Sequence, residues 1–293
     1  MNANTPIQEV LDLLDLEKVE ENIFRGISPK DRVQRVFGGQ VLGQALVAAG
    51  RTVEGRVCHS LHAYFLRAGD PKLPILYEVD RSRDGTSFTS RRVVAIQHGR
   101  PIFTLEASFQ VEEKGYDHQF EMPPAPDPDT LPSEEEWRLK AAGRLPEEKR
   151  AWFLRPRPIE TRLVDPREYF SPQKRPPHEM LWIRACGTLP DALAFHQCLL
   201  AYASDMSLLD TGLLPHGIGW LDNKVQMASL DHAMWFHRPF RADDWLLYVQ
   251  DSPSACGARS INRGLIYAKN GRLIASVAQE GLMRPRDGRK SAT

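Results

Sequence analysis

Three polar residues in the second half of the chain stand in largely apolar surroundings, and they are the first candidates for chemistry. Asp205 lies in AYASDMSLLD, Ser229 begins SLDHAMWFH, and Gln279 lies in ASVAQEGL. A carboxylate on a buried surface is costly unless it is paired or used in a reaction. Each residue also has an ordinary interpretation: a helix-end or solvent-facing Asp, a structural strand Ser and a sheet-edge Gln.

An internal repeat helps to choose between these interpretations. The segment GRPIFTLEASFQ, which begins at Gly99, recurs as GRLIASVAQEGL, which begins at Gly271, and Tyr77 recurs as Tyr248. A period this long indicates a duplicated domain, because solenoid repeats are much shorter. Opposite the three polar residues, the first copy carries Ala48, Cys58 and Ala107. Packing alone therefore does not explain the three polar residues, and they are predicted to form one site per chain.

Other patterns that carry chemistry are absent from the sequence. There is no G-x-S-x-G nucleophile motif, no H-E-x-x-H and no phosphate-binding glycine loop, so Gly39 and Gly43 are interpreted as close-packing positions. The four cysteines form no C-x-x-C pair and lie at no zinc spacing, so we predict reduced, mostly buried thiols. The sequence predicts neither a metal nor a cofactor.

The elements that must position the candidates form two similar α+β units. In each copy a helix that is apolar on nearly all sides precedes β-rich runs bounded by Gly, Pro and Asp. Such a helix is buried when an antiparallel sheet wraps around it. We predict an N-terminal scaffold unit at 1–116, a Pro-rich connection at 117–180 with one helix capped by Ser133, and a C-terminal unit at 181–293 that carries the site.

The overall composition excludes several classes of partner. The formal net charge is zero, which gives no electrostatic basis for binding nucleic acid or an acidic membrane surface. No apolar run approaches the length that a transmembrane helix needs. The N-terminus is acidic and amphipathic, unlike a signal or transit peptide. We therefore predict a cytoplasmic protein with no membrane contact.

Several longer motifs resemble the type II acyl-CoA thioesterases, which are double hot-dog proteins. They are FRGISP, VFGGQVLGQAL, HSLHAYFLRAGD and RDGTSFTSRRVVAIQHG in the first copy, and ASDMSLLDT, SLDHAMWFHRPFRADDWLLY and ASVAQEG in the second. The resemblance covers nearly the whole chain. It implies a double hot-dog fold, in which the two copies pair edge to edge as a pseudo-dimer, and further association of chains into dimers or tetramers.

The resemblance also implies the chemistry of the three polar residues. In the family an Asp, a Gln and a Thr or Ser together hold a water, and they match Asp205, Gln279 and Ser229. Asp205 would act as general base while Gln279 and Ser229 orient the water, which would hydrolyse fatty acyl-CoA of medium to long chain, with broad preference. The oxyanion would need backbone N–H donors, which we expect from a helix N-terminus near the site.

Substrate contacts are predicted from residue type alone. An apolar acyl tunnel between helix and sheet would be lined by Met206, Leu209 and Trp235, and His232 would shape the site entrance. The CoA phosphates need surface cations, for which the candidates are Arg91, Arg92 and Arg263.

Two alternatives stay open from the sequence. A non-catalytic acyl-CoA binding module would not require the three polar residues together. A hot-dog enoyl-CoA hydratase would use an Asp and a His five residues apart, and Asp210 and His216 in DTGLLPH lie six apart.

Overall fold

The computed structural model describes residues 5–29, 35–166, 172–219 and 224–286. The α-helices are α1 (Pro6–Leu14), α2 (Gly38–Gly50), α3 (Glu134–Ala142), α4 (Glu147–Leu154) and α5 (Leu193–Ser204), and there are 3₁₀ helices at Pro128–Thr130 and Leu208–His216. The strands of the first half are β1 (Glu17–Glu20), β2 (Ile23–Gly26), β3 (Val57–Phe65), β4 (Ile75–Asp84), β5 (Phe88–Gln97) and β6 (Arg100–Gln110). Those of the second half are β7 (Ile159–Leu163), β8 (His178–Ala185), β9 (Val225–Ser229), β10 (Asp231–Phe236), β11 (Leu246–Cys256), β12 (Arg259–Ala268) and β13 (Leu273–Pro285).

All strand pairs among these elements are antiparallel and belong to one sheet. Its order is β1-β2-β4-β5-β6-β3-β10-β13-β12-β11-β8-β7, with β9 paired to β13. The two copies meet where β3 pairs with β10, from Asp231 opposite Tyr64 to Trp235 opposite Ser60. The predicted edge-to-edge pairing of the copies within one chain is therefore confirmed, as is the α+β class.

The two central helices, α2 and α5, pack against each other on the inner face of this sheet. A Cβ built on Gly39 would lie 2.3 Å from the Tyr202 carbonyl oxygen, and one on Gly43 would lie 3.1 Å from that of Cys198. The glycines thus allow the close backbone approach that the sequence predicted. These contacts also make the helices antiparallel, so the first turn of α2 lies beside the last turn of α5.

The Pro-rich connection contains more structure than the sequence predicted. Helix α3 begins after Ser133, whose side chain forms a capping box with Glu136, as predicted for that N-cap. Helix α4 and strand β7 were not predicted, and β7 extends the sheet of the second copy by pairing with β8. Upstream of α3, Met122 and Leu131 pack over the outer face of that sheet, against an apolar cluster that includes Trp182.

The cysteines are all free thiols, as predicted. Cys58 and Cys198 are buried, whereas Cys186 and Cys256 are exposed. The prediction of mostly buried thiols is therefore wrong for two of the four, because their segments lie at the surface of the second copy.

Candidate active site

Asp205 lies at the C-terminal end of α5, directly after its last residue, Ser204. Its backbone is still helical (φ −83°, ψ −3°), so the side chain projects from the end of the last turn. The packing of α5 against α2 brings the carboxylate to Gly38 and Gly39. A Cβ built on Gly38 would lie 2.6 Å from Asp205 Oδ2, and the neighbouring backbone amide of Gly39 acts to lower the pKa of the carboxyl.

Ser229 and Gln279 approach the same carboxylate from the sheet. Ser229 Oγ, at the end of β9, donates to Asp205 Oδ1 over 3.0 Å, and Gln279 Nε2, in β13, donates to it over 2.5 Å. Gln279 is buried, and its Oε1 accepts no hydrogen bond from the described residues. The structure thus brings together all three polar residues that the repeat singled out.

Strand register relates these positions to the first copy independently of the sequence repeat. Cys58 faces Phe109 on β6, and Ser229 faces Gly281 on β13. Phe109 and Gly281 occupy the same place in the repeated segments that begin at Gly99 and Gly271. Cys58 and Ser229 therefore occupy matching places, as predicted.

The predicted match of Ala48 with Asp205 needs correction. Asp205 directly follows α5, and the residue that directly follows α2 is Arg51, three positions after Ala48. The sequence offset was taken from a glutamine in each helix, and it shifted the helix ends by nearly one turn.

The surroundings of Asp205 change its acidity. Burial raises the pKa of the carboxyl from 3.8 to about 6, against the opposing effects of the bonds from Gln279, Ser229 and the Gly39 amide and of the charge of Arg35. Desolvation of the charged form outweighs the hydrogen bonds that favour it. A carboxyl group in this range is ionised at neutral pH and is still basic enough to take a proton from water.

Helix geometry adds two opposing dipole effects at the same group. Asp205 stands at the C-terminus of its own helix, which is unfavourable for an anion, and beside the N-terminus of α2, which is favourable. The residue before α2, Phe37, has no side chain that caps the helix amides. The first turn of α2 is therefore a natural anion-binding end.

Behind the carboxylate lies a row of buried polar groups. His232 Nε2 is 2.9 Å from Ser204 Oγ, and Tyr248 donates its hydroxyl to the Ser204 carbonyl over 3.2 Å. Gln250 binds the segment that follows Asp205, accepting from Thr211 Oγ1 and donating to Ser207 Oγ. The last turn of α5 and the 3₁₀ helix Leu208–His216 are thus tied to the sheet by side chains.

With this geometry established, comparison with known proteins decides the family. The model of a family described as acyl-CoA thioesterase matches residues 149–282, and the model of an acyl-CoA thioesterase N-terminal domain matches residues 28–110. Human acyl-coenzyme A thioesterase 8 is 44% identical over 285 residues, which cover 94% of this chain and 88% of that protein. The chain belongs to the acyl-CoA thioesterase family. It is thus a thioester hydrolase, and the predicted enzyme class is confirmed.

Solved structures extend the comparison to the fold of the thioesterase. Acyl-CoA thioesterase II TesB2 from Mycobacterium marinum superposes with a TM-score of 0.78 at 42% identity, covering 96% of this chain and 99% of that chain. A hot-dog protein from Alicyclobacillus acidocaldarius superposes with a TM-score of 0.73 at 17% identity, covering 95% and 99%. The second likeness shows the fold alone, and together they confirm the predicted double hot-dog architecture.

The predicted acyl-contact residues of the thioesterase fall on two different faces. Met206 packs against the main core, and Leu209 covers Gly281, the residue opposite Ser229. Trp235 lies on the outer face, because His232 and its alternate neighbours in β10 point inward, and its ring packs edge-on against His62 at 5.2 Å. A place for Trp235 between helix and sheet is therefore contradicted.

His232 and Arg91 are both too buried for their predicted roles. His232 is fully buried and contacts Ser204, the residue before Asp205, so it does not shape an entrance. Arg91 is also buried, and its guanidinium donates to Thr52, to Asp84 and to backbone carbonyls, which leaves it unable to meet a CoA phosphate. Both predictions are wrong because each residue was interpreted as a surface residue, whereas its position on the strand faces inward and the side chain is buried.

The other two predicted phosphate contacts lie on the outer face of the sheet. Arg92 is exposed and lies 3.8 Å from Glu106, and Arg263 makes a bidentate pair with Asp251 at 2.9 Å. Their contact with CoA stays a prediction. In the residues that the structure describes, no helix is long and apolar enough to cross a membrane.

The alternative pair Asp210 and His216 lies in the 3₁₀ helix rather than around Asp205. A 3₁₀ helix rises about 2 Å per residue, so six residues separate the two backbones by roughly 12 Å. His216 lies at the end of the helix. This separation does not suit an acid and a base that must act on one bond.

Sequence reasoning missed the contribution of the first copy to the site. Gly38 and Phe65 border Asp205, since a Cβ on Gly38 would also lie 2.9 Å from the Phe65 ring. The available signal was the start of α2, where FGGQ offers no capping side chain.

Proposed function

We propose that this thioesterase hydrolyses fatty acyl-CoA of medium to long chain through a water that Asp205 deprotonates. The observation that carries the proposal is the convergence of Ser229 and Gln279 on one oxygen of a carboxylate whose pKa is raised to about 6. Both donors bind Oδ1. The Asp205 carboxylate is thereby held in one orientation, which a general base requires.

The chemistry needs a positioned water rather than a covalent nucleophile, because a thioester carbonyl is electrophilic and a thiolate leaves well. Asp205 takes a proton as the water oxygen bonds to the carbonyl carbon. The tetrahedral intermediate then breaks its carbon–sulfur bond, and the proton passes from Asp205 to the departing thiolate. Gln279 Oε1, buried and unpaired among the described residues, is an acceptor suited to the second O–H of the water.

The negative charge that develops on the carbonyl oxygen needs preorganised donors. We assign this role to the first turn of α2, which no side chain caps and where Gly38 lies beside the Asp205 carboxylate. A Cβ at Gly38 would fill the space between helix and carboxylate. The proposed site therefore needs both copies: the donors from the first and the base from the second.

The acyl chain needs apolar walls next to this centre. Phe65, Met206 and Leu209 are the apolar side chains that support such a path. Each further buried CH₂ contributes about 0.8 kcal/mol, so KM should fall with chain length until the path ends. A series of saturated acyl-CoAs from C4 to C18 measures that end.

The variant Asp205→Asn tests the assignment of the base. We expect kcat to fall at least about 100-fold, the usual range for loss of a general base, as followed by CoA release with a thiol reagent. Asp210→Asn is the matched control and should keep kcat within about twofold. Normal turnover by Asp205→Asn would contradict the proposal. If the enzyme hydrates an enoyl-CoA and Asp210→Asn abolishes that reaction, the hydratase alternative would be favoured.

Association of chains into dimers or tetramers is part of the proposal. Hot-dog units generally pair through sheet edges, and here two units already pair within one chain through β3 and β10. Light scattering coupled to size-exclusion chromatography measures whether chains associate further.

A further inference from the structure

One buried histidine next to the site is explained neither by packing nor by the proposed mechanism. His232 lies in β10 on the inner face of the sheet and is fully buried. The register pairs Ala233 with Ala278, which sets His232 beside Gln279. It therefore belongs to the same inner row as one of the proposed water-binding groups.

The hydrogen bonds of His232 define its tautomer and leave one nitrogen unused. Ser204 Oγ donates to the Ala201 carbonyl over 3.0 Å, so the same oxygen accepts from His232 Nε2–H over 2.9 Å. Nδ1 is then the unprotonated nitrogen, and it is buried with no partner among the described residues. Burial lowers the pKa of the imidazole from 6.5 to about 3, so the ring is neutral at working pH.

The first copy shows that the fold does not need a histidine at this position. The matching residue in β3, at the same offset that relates Tyr248 to Tyr77, is Leu61, which is also fully buried. An imidazole with an unpaired buried nitrogen costs stability compared with a leucine of similar size. The histidine is therefore retained at a cost, in the copy that carries Asp205.

Its one bond acts on the residue directly before Asp205. Ser204 ends α5, where the last carbonyls lack helical partners and the backbone is prone to fray. Its side chain binds His232 and its carbonyl accepts from Tyr248, so it is held from two strands of the sheet. The orientation of the Asp205 carboxylate follows from that of the turn.

We propose that His232 is a positioning residue for thioester hydrolysis, which fixes the last turn of α5 through Ser204 and thereby orients Asp205. The inference rests on the proposed function, since it assigns no reaction step to His232 itself. A carboxylate displaced by about 1 Å can lose about 100-fold in rate.

The test compares His232→Leu, His232→Gln, Ser204→Ala and the double variant His232→Leu/Ser204→Ala by steady-state kinetics and thermal unfolding. We expect His232→Leu to lower kcat about 10- to 100-fold, to leave KM within about threefold, and to keep or raise Tm. His232→Gln should regain most of the lost rate, because its Nε2 amide can donate to Ser204 Oγ. The double variant should be no slower than His232→Leu alone, because both changes break one bond.

Leu61→Met is the matched control in the first copy, a volume-conserving change that should leave kcat within about twofold. The inference is overturned if His232→Leu keeps normal kcat, if His232→Gln is as slow as His232→Leu, or if the two single losses multiply. Should His232→Leu fail to fold, Ser204→Ala with normal kcat overturns it equally. Normal turnover by Asp205→Asn would instead remove the proposed function, whatever the His232 variants do.

Discussion

The C-terminal ends of α2 and α5 occupy matching places in the two copies, yet opposite charges meet them. At the end of α2, Arg91 donates to the Thr52 hydroxyl over 2.8 Å and to the Thr52 carbonyl over 3.1 Å. At the end of α5 stands the carboxylate of Asp205. A cation at a helix C-terminus is stabilising and an anion there is not. The charge at this helix end therefore stabilises the fold in the first copy and destabilises it in the second.

The two inner faces differ in the same sense. Arg91 faces Ala107 across β5 and β6, while Asn262 faces Gln279 across β12 and β13, so Arg91 and Asn262 occupy matching places. The long guanidinium of the first copy reaches the helix end, and the shorter amide of the second does not. The second copy instead brings Gln279 to Asp205.

The copies also differ after the helix. The first copy runs from α2 to β3 through residues 51–56, whereas the second runs from α5 to β9 through residues 205–224, which include the 3₁₀ helix Leu208–His216. This added segment carries Leu209 to the site and is held by Gln250. The second copy is thus an elaborated version of the first at one end of the helix.

The division into a scaffold copy and a copy that carries the site stays a prediction, and the proposed site adds a contact from the first copy to it. The Asp205 carboxylate is held at the N-terminus of α2, which belongs to the first copy. The dipole of α2 offsets part of the cost that the C-terminus of α5 imposes. One site per chain stays our prediction, because, of the two ends of the α2–α5 pair, only the end at the start of α2 joins a helix N-terminus to a carboxylate, that of Asp205.

The strongest test of this shared site is Gly38→Ala. The new Cβ would lie 2.6 Å from Asp205 Oδ2 and 2.9 Å from the Phe65 ring, so the carboxylate must move away from the helix. We expect kcat/KM to fall about 100-fold, measured by CoA release. Gly50→Ala, at the other end of α2 with nothing within 4 Å of its Cβ, is the matched control and should keep full activity. Equal activity of both variants would break the claim that the first copy contributes to the site.

The pH dependence gives the next largest effect. Because burial raises the pKa of Asp205 to about 6, kcat/KM should fall about tenfold from its plateau to pH 5, as the base becomes protonated. A single essential carboxylate predicts an acid limb of kcat/KM with a slope of one. A slope of two would indicate a second ionising group in the same site, which the assignment of Asp205 as the one base does not allow.

The raised pKa of Asp205 also affects stability, and with the opposite pH dependence: activity should rise with pH, whereas the contribution of Asp205 to stability should fall. A carboxyl whose folded pKa lies above 3.8 binds its proton more tightly in the folded state. Its contribution to the free energy of unfolding therefore falls as the pH rises from about 4 to about 6. Asp205→Asn should raise Tm at pH 8 relative to the parent protein and should change it less at pH 4.

The sequence predicted the features that depend on periodicity and on the repeat. Local pattern predicted the apolar helices, the antiparallel strands and the inward orientation of Gln279. Ser229 and Gln279 were found because the matching places in the first copy carry Cys58 and Ala107. The resemblance supplied their expected roles. Contacts between distant segments were not predictable, since the meeting of Gly38 with Asp205 depends on how two helices pack.

The wrong predictions of substrate contacts share one physical cause. Arg91, His232 and Trp235 were assigned from residue type, and each lies on the opposite side of its strand from the one that its predicted role needed. Alternation along a strand fixes two faces but does not say which is the inner one when both carry polar and aromatic residues. Burial of a whole arginine is offset by partners, here Thr52 and Asp84, that only the folded chain brings together.

The smallest expected effect on kcat comes from substitutions at Cys58 and Ser229, and it compares the two copies at matching places. Cys58 and Ser229 match by strand register, but only Ser229 touches a carboxylate, whereas the Cys58 thiol donates to the Ser60 carbonyl. We expect Cys58→Ala to change kcat less than twofold and Ser229→Ala to lower it about tenfold, since one of the two side-chain hydrogen bonds that orient the base is lost. Ala107→Ser, at the place that matches Gln279, should be equally silent. A large loss from either first-copy variant with unchanged Tm would mean that the first copy also carries chemistry at its inner face, and the duplication would then hold two sites instead of one.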